Sequence, residues 1–140
     1  MITTGSPSFS ATKTEVVDVV NGETCADLAD FPLPNYNAVG ANLDGTPVIC
    51  GGYDFSTTYQ TCYKLTISGW QQFTSMKNNR GEAAAVMFQK KFHVFGGWGD
   101  VSGSFITDIL QVNLFQKHLF LHQVTHNMTK DCSLNYEFIA

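Results

Sequence analysis

The chain has 140 residues, of which 44% are hydrophobic and only 14% are charged, and its formal net charge at pH 7 is −4. This length and apolar content suffice for one globular domain with a core, and the acidic balance excludes the basic surface of nucleic-acid-binding domains. No apolar stretch approaches the roughly 18 to 20 residues of a membrane-spanning helix, so we expect no membrane span. No signal peptide is visible, and the compartment stays open between the cytoplasm and, for a piece of a secreted parent, the extracellular space.

The first 34 residues predict three short strands. Ile2-Thr3-Thr4-Gly5-Ser6 begins with an apolar run, 14–20 is rich in β-branched residues, and 24–28 follows the hairpin sequence Asn21-Gly22. We assign residues 1–34 to a degenerate, partial copy of the repeat unit that follows.

Residues 35–79 carry the complete unit. Four strands are expected there, at 38–43, 46–50, 61–66 and 70–74. Asp44-Gly45 is a strong two-residue hairpin turn, because both central positions of such a turn need a positive φ. The second strand ends in Gly51-Gly52, and the polar stretch 53–60 is a loop. Four short antiparallel strands of this kind make one propeller blade.

Residues 80–115 begin the same pattern again. Strands are expected at 84–88, 92–95 and 106–114, with the turn between the first two at Lys90-Lys91 and a second doublet at Gly96-Gly97. Residues 116–140 show neither a doublet nor a hairpin turn and form an unpatterned tail.

A glycine doublet closes an apolar run twice, at Gly51-Gly52 and at Gly96-Gly97, 45 residues further on. Between the doublets, six residues separate Tyr63 from Trp70. Repeats of this length indicate solenoids, propellers or arrays. An apolar run, Gly-Gly, then Tyr, six residues and Trp is the motif of the kelch-repeat family, which the chain resembles over roughly residues 2 to 115.

The resemblance implies an all-β fold, an incomplete kelch-type β-propeller of four-stranded antiparallel blades, about one of them full and two partial. It also implies that Gly51, Gly52, Gly96, Gly97, Tyr63 and Trp70 hold blades together and catalyse nothing. Propellers close with about 4 to 8 blades. We therefore expect a piece of a longer product, or self-association through open blade faces.

Cys50 and Cys62 lie on what should be neighbouring strands of the complete blade. Cross-strand cysteines can form a disulfide where their Cβ atoms come within about 3.5 to 4.5 Å. Some kelch-like proteins carry cysteines at such positions. Two buried free thiols are the alternative, and both outcomes stay open at this stage.

Other chemistry is sparse. His118, His122 and His126 follow one another at intervals of four residues, which would place them on one face of a helix, and Cys132 lies beyond them. No HExxH motif accompanies them, and the surrounding residues do not favour a helix. No GxSxG motif, P-loop or dinucleotide-binding motif is present. We therefore expect no metal, no cofactor and no enzymatic activity.

The function expected from the resemblance is a non-catalytic protein-protein interaction module with a protein partner. Binding surfaces of propellers are built from the loops at strand ends. The residues expected to contact a partner follow the two doublets: Tyr53, Asp54, Tyr59, Trp98 and Asp100. The alternatives are part of a propeller oxidase of the galactose-oxidase type, whose metal ligands cannot be placed on this sequence, or a truncated product without independent function.

Overall fold

The computed structural model of the chain describes residues 2–4, 12–17, 24–99 and 109–113. In these ranges the secondary structure consists of ten β-strands: β1 (Ile2–Thr4), β2 (Thr14–Val17), β3 (Thr24–Asp27), β4 (Val39–Leu43), β5 (Thr46–Cys50), β6 (Thr61–Thr66), β7 (Gly69–Ser75), β8 (Ala84–Phe88), β9 (Lys91–Phe95) and β10 (Ile109–Asn113). No helix of the described ranges has the length and apolar character needed to cross a membrane.

The ten strands form three antiparallel sheets. Strands β1, β2 and β3 make the first sheet, β4 to β7 the central sheet, and β8 to β10 the third, and in each sheet neighbours along the chain are neighbours in space. The fold of the described residues is therefore all-β, and the four-stranded antiparallel order predicted for the central unit is confirmed. The tail 116–140 lies outside the described residues.

The 45-residue period of the sequence is also a period of the backbone. Strands β8 and β9 begin and end 45 residues after β4 and β5. Residues with positive φ recur at the same spacing: Asn37, Asp44, Gly45, Gly51 and Gly52 correspond to Glu82, Gln89, Lys90, Gly96 and Gly97. The conformation thus repeats even where the residue type does not.

The hairpin between β8 and β9 corrects one prediction. Its turn residues are Gln89 and Lys90, with φ of 49° and 58°, and Lys91 already pairs with Phe88. The expected turn at Lys90-Lys91 is therefore one residue too late. The core decides the register, because a shift by one residue would turn the fully buried Phe92 and Val94 to the opposite face of the sheet.

This hairpin places two ordinary side chains in the left-handed region, where Asn and Gly are the favoured residues. We expect the double substitution Gln89→Asn and Lys90→Gly to raise the free energy of unfolding by about 1 kcal/mol. The matched exchange in the other hairpin, Asp44→Gln with Gly45→Lys, should lower it by a similar amount. Urea denaturation measures both, and no gain from the first exchange would contradict the assigned turn.

Strand β5 of the central sheet is buried on both faces, which explains its continuous apolar run. Val48 and Cys50 point to one face and belong to a buried cluster with Phe92 and Val94 of the third sheet. Ile49, between them, is 6% exposed and points to the opposite face. β4 packs against β8 and β9, so the main core lies between the central and third sheets.

The other face of the central sheet is held by one aromatic residue from the segment that precedes β4. The ring of Phe31 makes edge contacts with Tyr63 of β6 and Trp70 of β7, with 5.1 Å between ring centroids in each pair. The indole Nε1 of Trp70 donates a hydrogen bond of 2.9 Å to Oγ1 of Thr14 on β2. Tyr63 and Trp70 thus connect the central sheet to the part of the chain that precedes it.

Candidate interaction surface at the strand ends

The two glycine doublets turn the chain at the same end of the central and third sheets. After Gly51-Gly52, Tyr53 forms an isolated antiparallel bridge with Tyr36. After Gly96-Gly97, Trp98 forms the equivalent bridge with Gly81, 45 residues further along both segments. Both bridges are closed by paired backbone hydrogen bonds of 2.9 to 3.0 Å.

Each doublet is also held by a buried side chain from the start of its own repeat. Nδ2 of Asn35 donates a 2.8 Å hydrogen bond to the carbonyl oxygen of Gly51. Nη1 of Arg80, 45 residues later, donates a 3.1 Å hydrogen bond to the carbonyl oxygen of Gly96. Gly52 N–H donates to the carbonyl oxygen of Arg80 at 2.9 Å and so ties the central repeat to the next one. These contacts give the doublets a structural role.

Three aromatic rings come together where the doublets end. Tyr36 and Tyr53 have ring centroids 4.0 Å apart, and Tyr53 and Trp98 have centroids 4.9 Å apart with planes tilted by 55°. Gly81 lies against the Tyr53 ring so closely that a Cβ at this position would overlap the ring. All three rings are half-buried. The surface therefore presents aromatic groups that are already fixed in place.

Asn37 and Glu82 complete this surface, and we call the set Tyr36, Asn37, Tyr53, Glu82 and Trp98 the strand-end cluster. Tyr53 O–H donates a 2.9 Å hydrogen bond to Oε1 of Glu82. Nδ2 of Asn37 donates to the Tyr53 hydroxyl oxygen at 2.8 Å and to the same Glu82 oxygen at 3.2 Å. Burial, together with the hydrogen bond to Glu82, raises the pKa of Tyr53, so the phenol stays a neutral donor.

The loop after the first doublet is ordered by Asp54. One oxygen of its carboxylate accepts the backbone N–H groups of Ser56 and Thr57 at 2.8 Å each, and the other accepts the Tyr59 hydroxyl at 2.6 Å. The hydrogen bond from Tyr59, with those from Ser56 and Thr57, lowers the pKa of Asp54 to about 2. Burial and the hydrogen bond to Asp54 raise the pKa of Tyr59 to about 12. These two side chains shape the loop from within.

The structure separates the residues expected to contact a partner. Tyr53 and Trp98 come together, Asp54 and Tyr59 bind each other inside the loop, and Asp100 lies outside the described residues. Sequence reasoning missed Asn37 and Glu82, although their side chains are exposed and 45 residues apart. Comparing the two repeats position by position would have revealed this pair.

Cys50 and Cys62 are joined by a disulfide between β5 and β6. The two residues are directly opposite in the antiparallel register, with Cα atoms 4.1 Å apart, and both are fully buried. Of the two alternatives that the sequence left open, the structure contains the bonded pair.

Removing this disulfide is expected to destabilise the fold. The bond closes a short loop, with 12 residues of sequence separation, and cross-links of this size contribute about 3 kcal/mol. We expect Cys50→Ala with Cys62→Ala to lower the free energy of unfolding by about that amount. Urea denaturation with and without reductant tests this: reductant should shift the midpoint of the wild-type chain and leave the double variant unchanged. Equal midpoints for wild type and variant would contradict the bond.

Among the described side chains, no group of three or more His, Cys, Asp or Glu residues is placed to hold an ion. The histidines at 118, 122 and 126 and Cys132 lie outside the described residues.

Comparison with solved structures finds a similar fold in the structure of YjhT. The match has a TM-score of 0.65 at 9% sequence identity, and it covers 81% of this chain and 42% of that chain. At this identity the likeness extends to the fold alone, and the matched region spans less than half the length of YjhT. No family model matches the sequence, and no curated protein matches it either. The chain therefore has an all-β fold of antiparallel sheets that it shares with part of YjhT.

Proposed function

We propose that this chain is a segment of a kelch-type β-propeller and acts as a non-catalytic protein-interaction module. Three successive antiparallel sheets, a 45-residue backbone period and a fold shared with 42% of YjhT support the architecture. The connections also resemble those of propeller blades, since each sheet is an up-and-down meander and the central and third sheets pack together around one buried cluster. Gly51, Gly52, Gly96, Gly97, Tyr63 and Trp70 then serve the packing of blades.

Exposed apolar side chains on the outer face of the third sheet support a further layer packed against that face. Val86 and Phe88 of β8 are 49% and 59% exposed, whereas Ala41 and Leu43, 45 residues earlier on β4, are buried by the third sheet. The equivalent face of the central sheet is thus covered by the sheet that follows it. In the proposed architecture, a further blade or a second copy of the chain covers Val86 and Phe88.

The strand-end cluster carries the proposal of partner binding. Tyr and Trp side chains dominate the energetics of protein interfaces, and those that are already fixed lose little entropy on binding. Tyr53 is held by hydrogen bonds to Asn37 and Glu82, and Trp98 by the backbone bridge to Gly81. A half-buried aromatic surface with exposed polar groups beside it fits a protein partner better than an apolar small molecule.

Site-specific photo-crosslinking tests this function. The photoreactive residue p-benzoylphenylalanine replaces Trp98 in one variant and Ile67 in a control, because Ile67 is 50% exposed at the turn between β6 and β7, at the other end of the central sheet. In an extract of the source cells, we expect a discrete protein adduct from position 98 and none from position 67. Equal adduct patterns at the two positions, or none at position 98, would contradict the assigned surface.

A further inference from the structure

We propose that the strand-end cluster recognises a guanidinium group, the side chain of an arginine on the partner protein. This inference rests on the proposed interaction function and adds the chemistry of the partner. It depends on the carboxylate of Glu82, the fixed rings of Tyr53 and Trp98, and the charge around them.

The Glu82 carboxylate is exposed but firmly positioned. Its backbone N–H donates a 3.1 Å hydrogen bond to the carbonyl oxygen of Asn37, and the preceding residue, Gly81, is bonded twice to Trp98. Oε1 accepts hydrogen bonds from Tyr53 and Asn37, while Oε2 has no hydrogen-bond partner among the described residues. One carboxylate oxygen is therefore anchored and the other is available to a donor from outside.

The backbone at Glu82 favours a different residue. Its φ is +55°, a left-handed conformation in which Asn and Asp are enriched. The equivalent position one repeat earlier is Asn37, with φ of +53°. Glu82 is therefore not a residue type that this left-handed conformation favours, and residues held in unfavourable conformations cluster at functional sites. A binding role for the carboxylate accounts for a glutamate at this position.

The local charge favours a cation. Lys13 forms an ion pair with Asp30, and the contacts of the Glu82 carboxylate are hydrogen bonds from the neutral groups of Tyr53 and Asn37. Asp54, the nearby acid of the following loop, is already engaged by Tyr59 and two backbone N–H groups. The net charge of −4 adds long-range attraction for a basic segment and repels a phosphorylated one.

The aromatic rings favour arginine over lysine. A guanidinium is planar, stacks on aromatic faces and offers a fork of donors, whereas an ammonium is a compact and strongly hydrated charge. The half-buried rings of Tyr53 and Trp98 lie beside the carboxylate, since Tyr53 O–H binds Glu82 directly. One arginine side chain can stack on a ring and donate to the carboxylate in the same position.

An NMR titration of the intact chain tests this proposal. The probes are three blocked tripeptides, Gly-Arg-Gly, Gly-Lys-Gly and Gly-citrulline-Gly, the last of which keeps the planar shape without the charge. We expect saturable shifts of the Trp98 indole N–H and the Asn37 side-chain amide with the arginine peptide, weaker shifts with lysine and none with citrulline. Equal shifts with arginine and citrulline would overturn the proposal.

Variants of Glu82 separate recognition from structure. Glu82→Gln should weaken arginine binding about tenfold, as expected when a charged hydrogen-bond partner is lost, and Glu15→Gln on β2 is the matched control that should leave it unchanged. Glu82→Asn copies the other repeat, so it should lose binding while the chain becomes more stable to urea. Unchanged arginine binding in both Glu82 variants would overturn the proposal. A protein adduct at position 98 without arginine binding would leave the interaction function standing and remove only this inference.

Discussion

Replacing Gly52 by alanine is expected to lower the free energy of unfolding by at least about 3 kcal/mol. Gly52 has a φ of +85°, which an alanine adopts only at a cost of about 1 to 2 kcal/mol. A Cβ there would also overlap Oδ1 of Asn35 and lie 2.8 Å from the carbonyl oxygen of Tyr36. Asn35 is buried and anchors Gly51, so relief of the clash would break a second contact.

The control for Gly52 is Gly45→Ala at the exposed tip of the β4–β5 hairpin. Gly45 has nearly the same φ, +86°, so this variant carries the backbone cost without the surroundings of the doublet. We expect a loss of about 1 to 2 kcal/mol there. Urea denaturation followed by circular dichroism compares the two variants. Equal losses of unfolding free energy in the two variants would contradict a contribution of the contacts around Gly52 to stability.

Replacing Phe31 by alanine is expected to cost about 3 to 5 kcal/mol, the usual range for a buried phenylalanine. Phe31 is 2% exposed and contacts both Tyr63 and Trp70 edge-on. Its loss leaves a cavity on the face of the central sheet that looks towards β2. The first sheet should loosen first, because Trp70 also holds Thr14 by a hydrogen bond.

Hydrogen exchange and denaturation together measure this effect. In Phe31→Ala, amide protection should fall in β2 and β3 more than in β5, and the urea midpoint should drop. Phe55→Ala is the control, since Phe55 is 74% exposed and its truncation should change stability by less than about 0.5 kcal/mol. Similar small changes in both variants would contradict the assigned packing of Phe31.

The sequence predicted the elements that local chemistry determines. Asp44-Gly45 predicted the β4–β5 turn, because both residues are of the types that adopt a positive φ. The apolar run before Gly51-Gly52 predicted a buried strand, and the bounds of β5 agree with that prediction. Gln89-Lys90 carries no turn chemistry, and its position follows from core burial of Phe92 and Val94 instead. When core packing sets the register of a hairpin in this way, the residues at the turn do not indicate it.

The sequence predicted only part of the candidate site, because local patterns do not show contacts between residues that are distant in sequence. Tyr53 and Trp98 follow the doublets directly and were identified as surface residues, and the structure pairs their rings. Phe31 and Glu82 were missed because their roles depend on partners distant in sequence, Trp70 in one case and Asn37 in the other. An irregular connecting segment has no periodicity that would indicate which of its residues are buried.

Successive 45-residue repeats join through backbone hydrogen bonds at the strand ends. Two of these bonds run from Gly52 N–H to the carbonyl oxygen of Arg80 at 2.9 Å and from Glu82 N–H to the carbonyl oxygen of Asn37 at 3.1 Å. Scalar couplings across hydrogen bonds, measured by NMR on the isotope-labelled intact chain, detect each donor and acceptor pair directly. We expect both couplings, with slow amide exchange at Gly52. Absent couplings together with exchange at the solvent-exposed rate would contradict the repeat architecture.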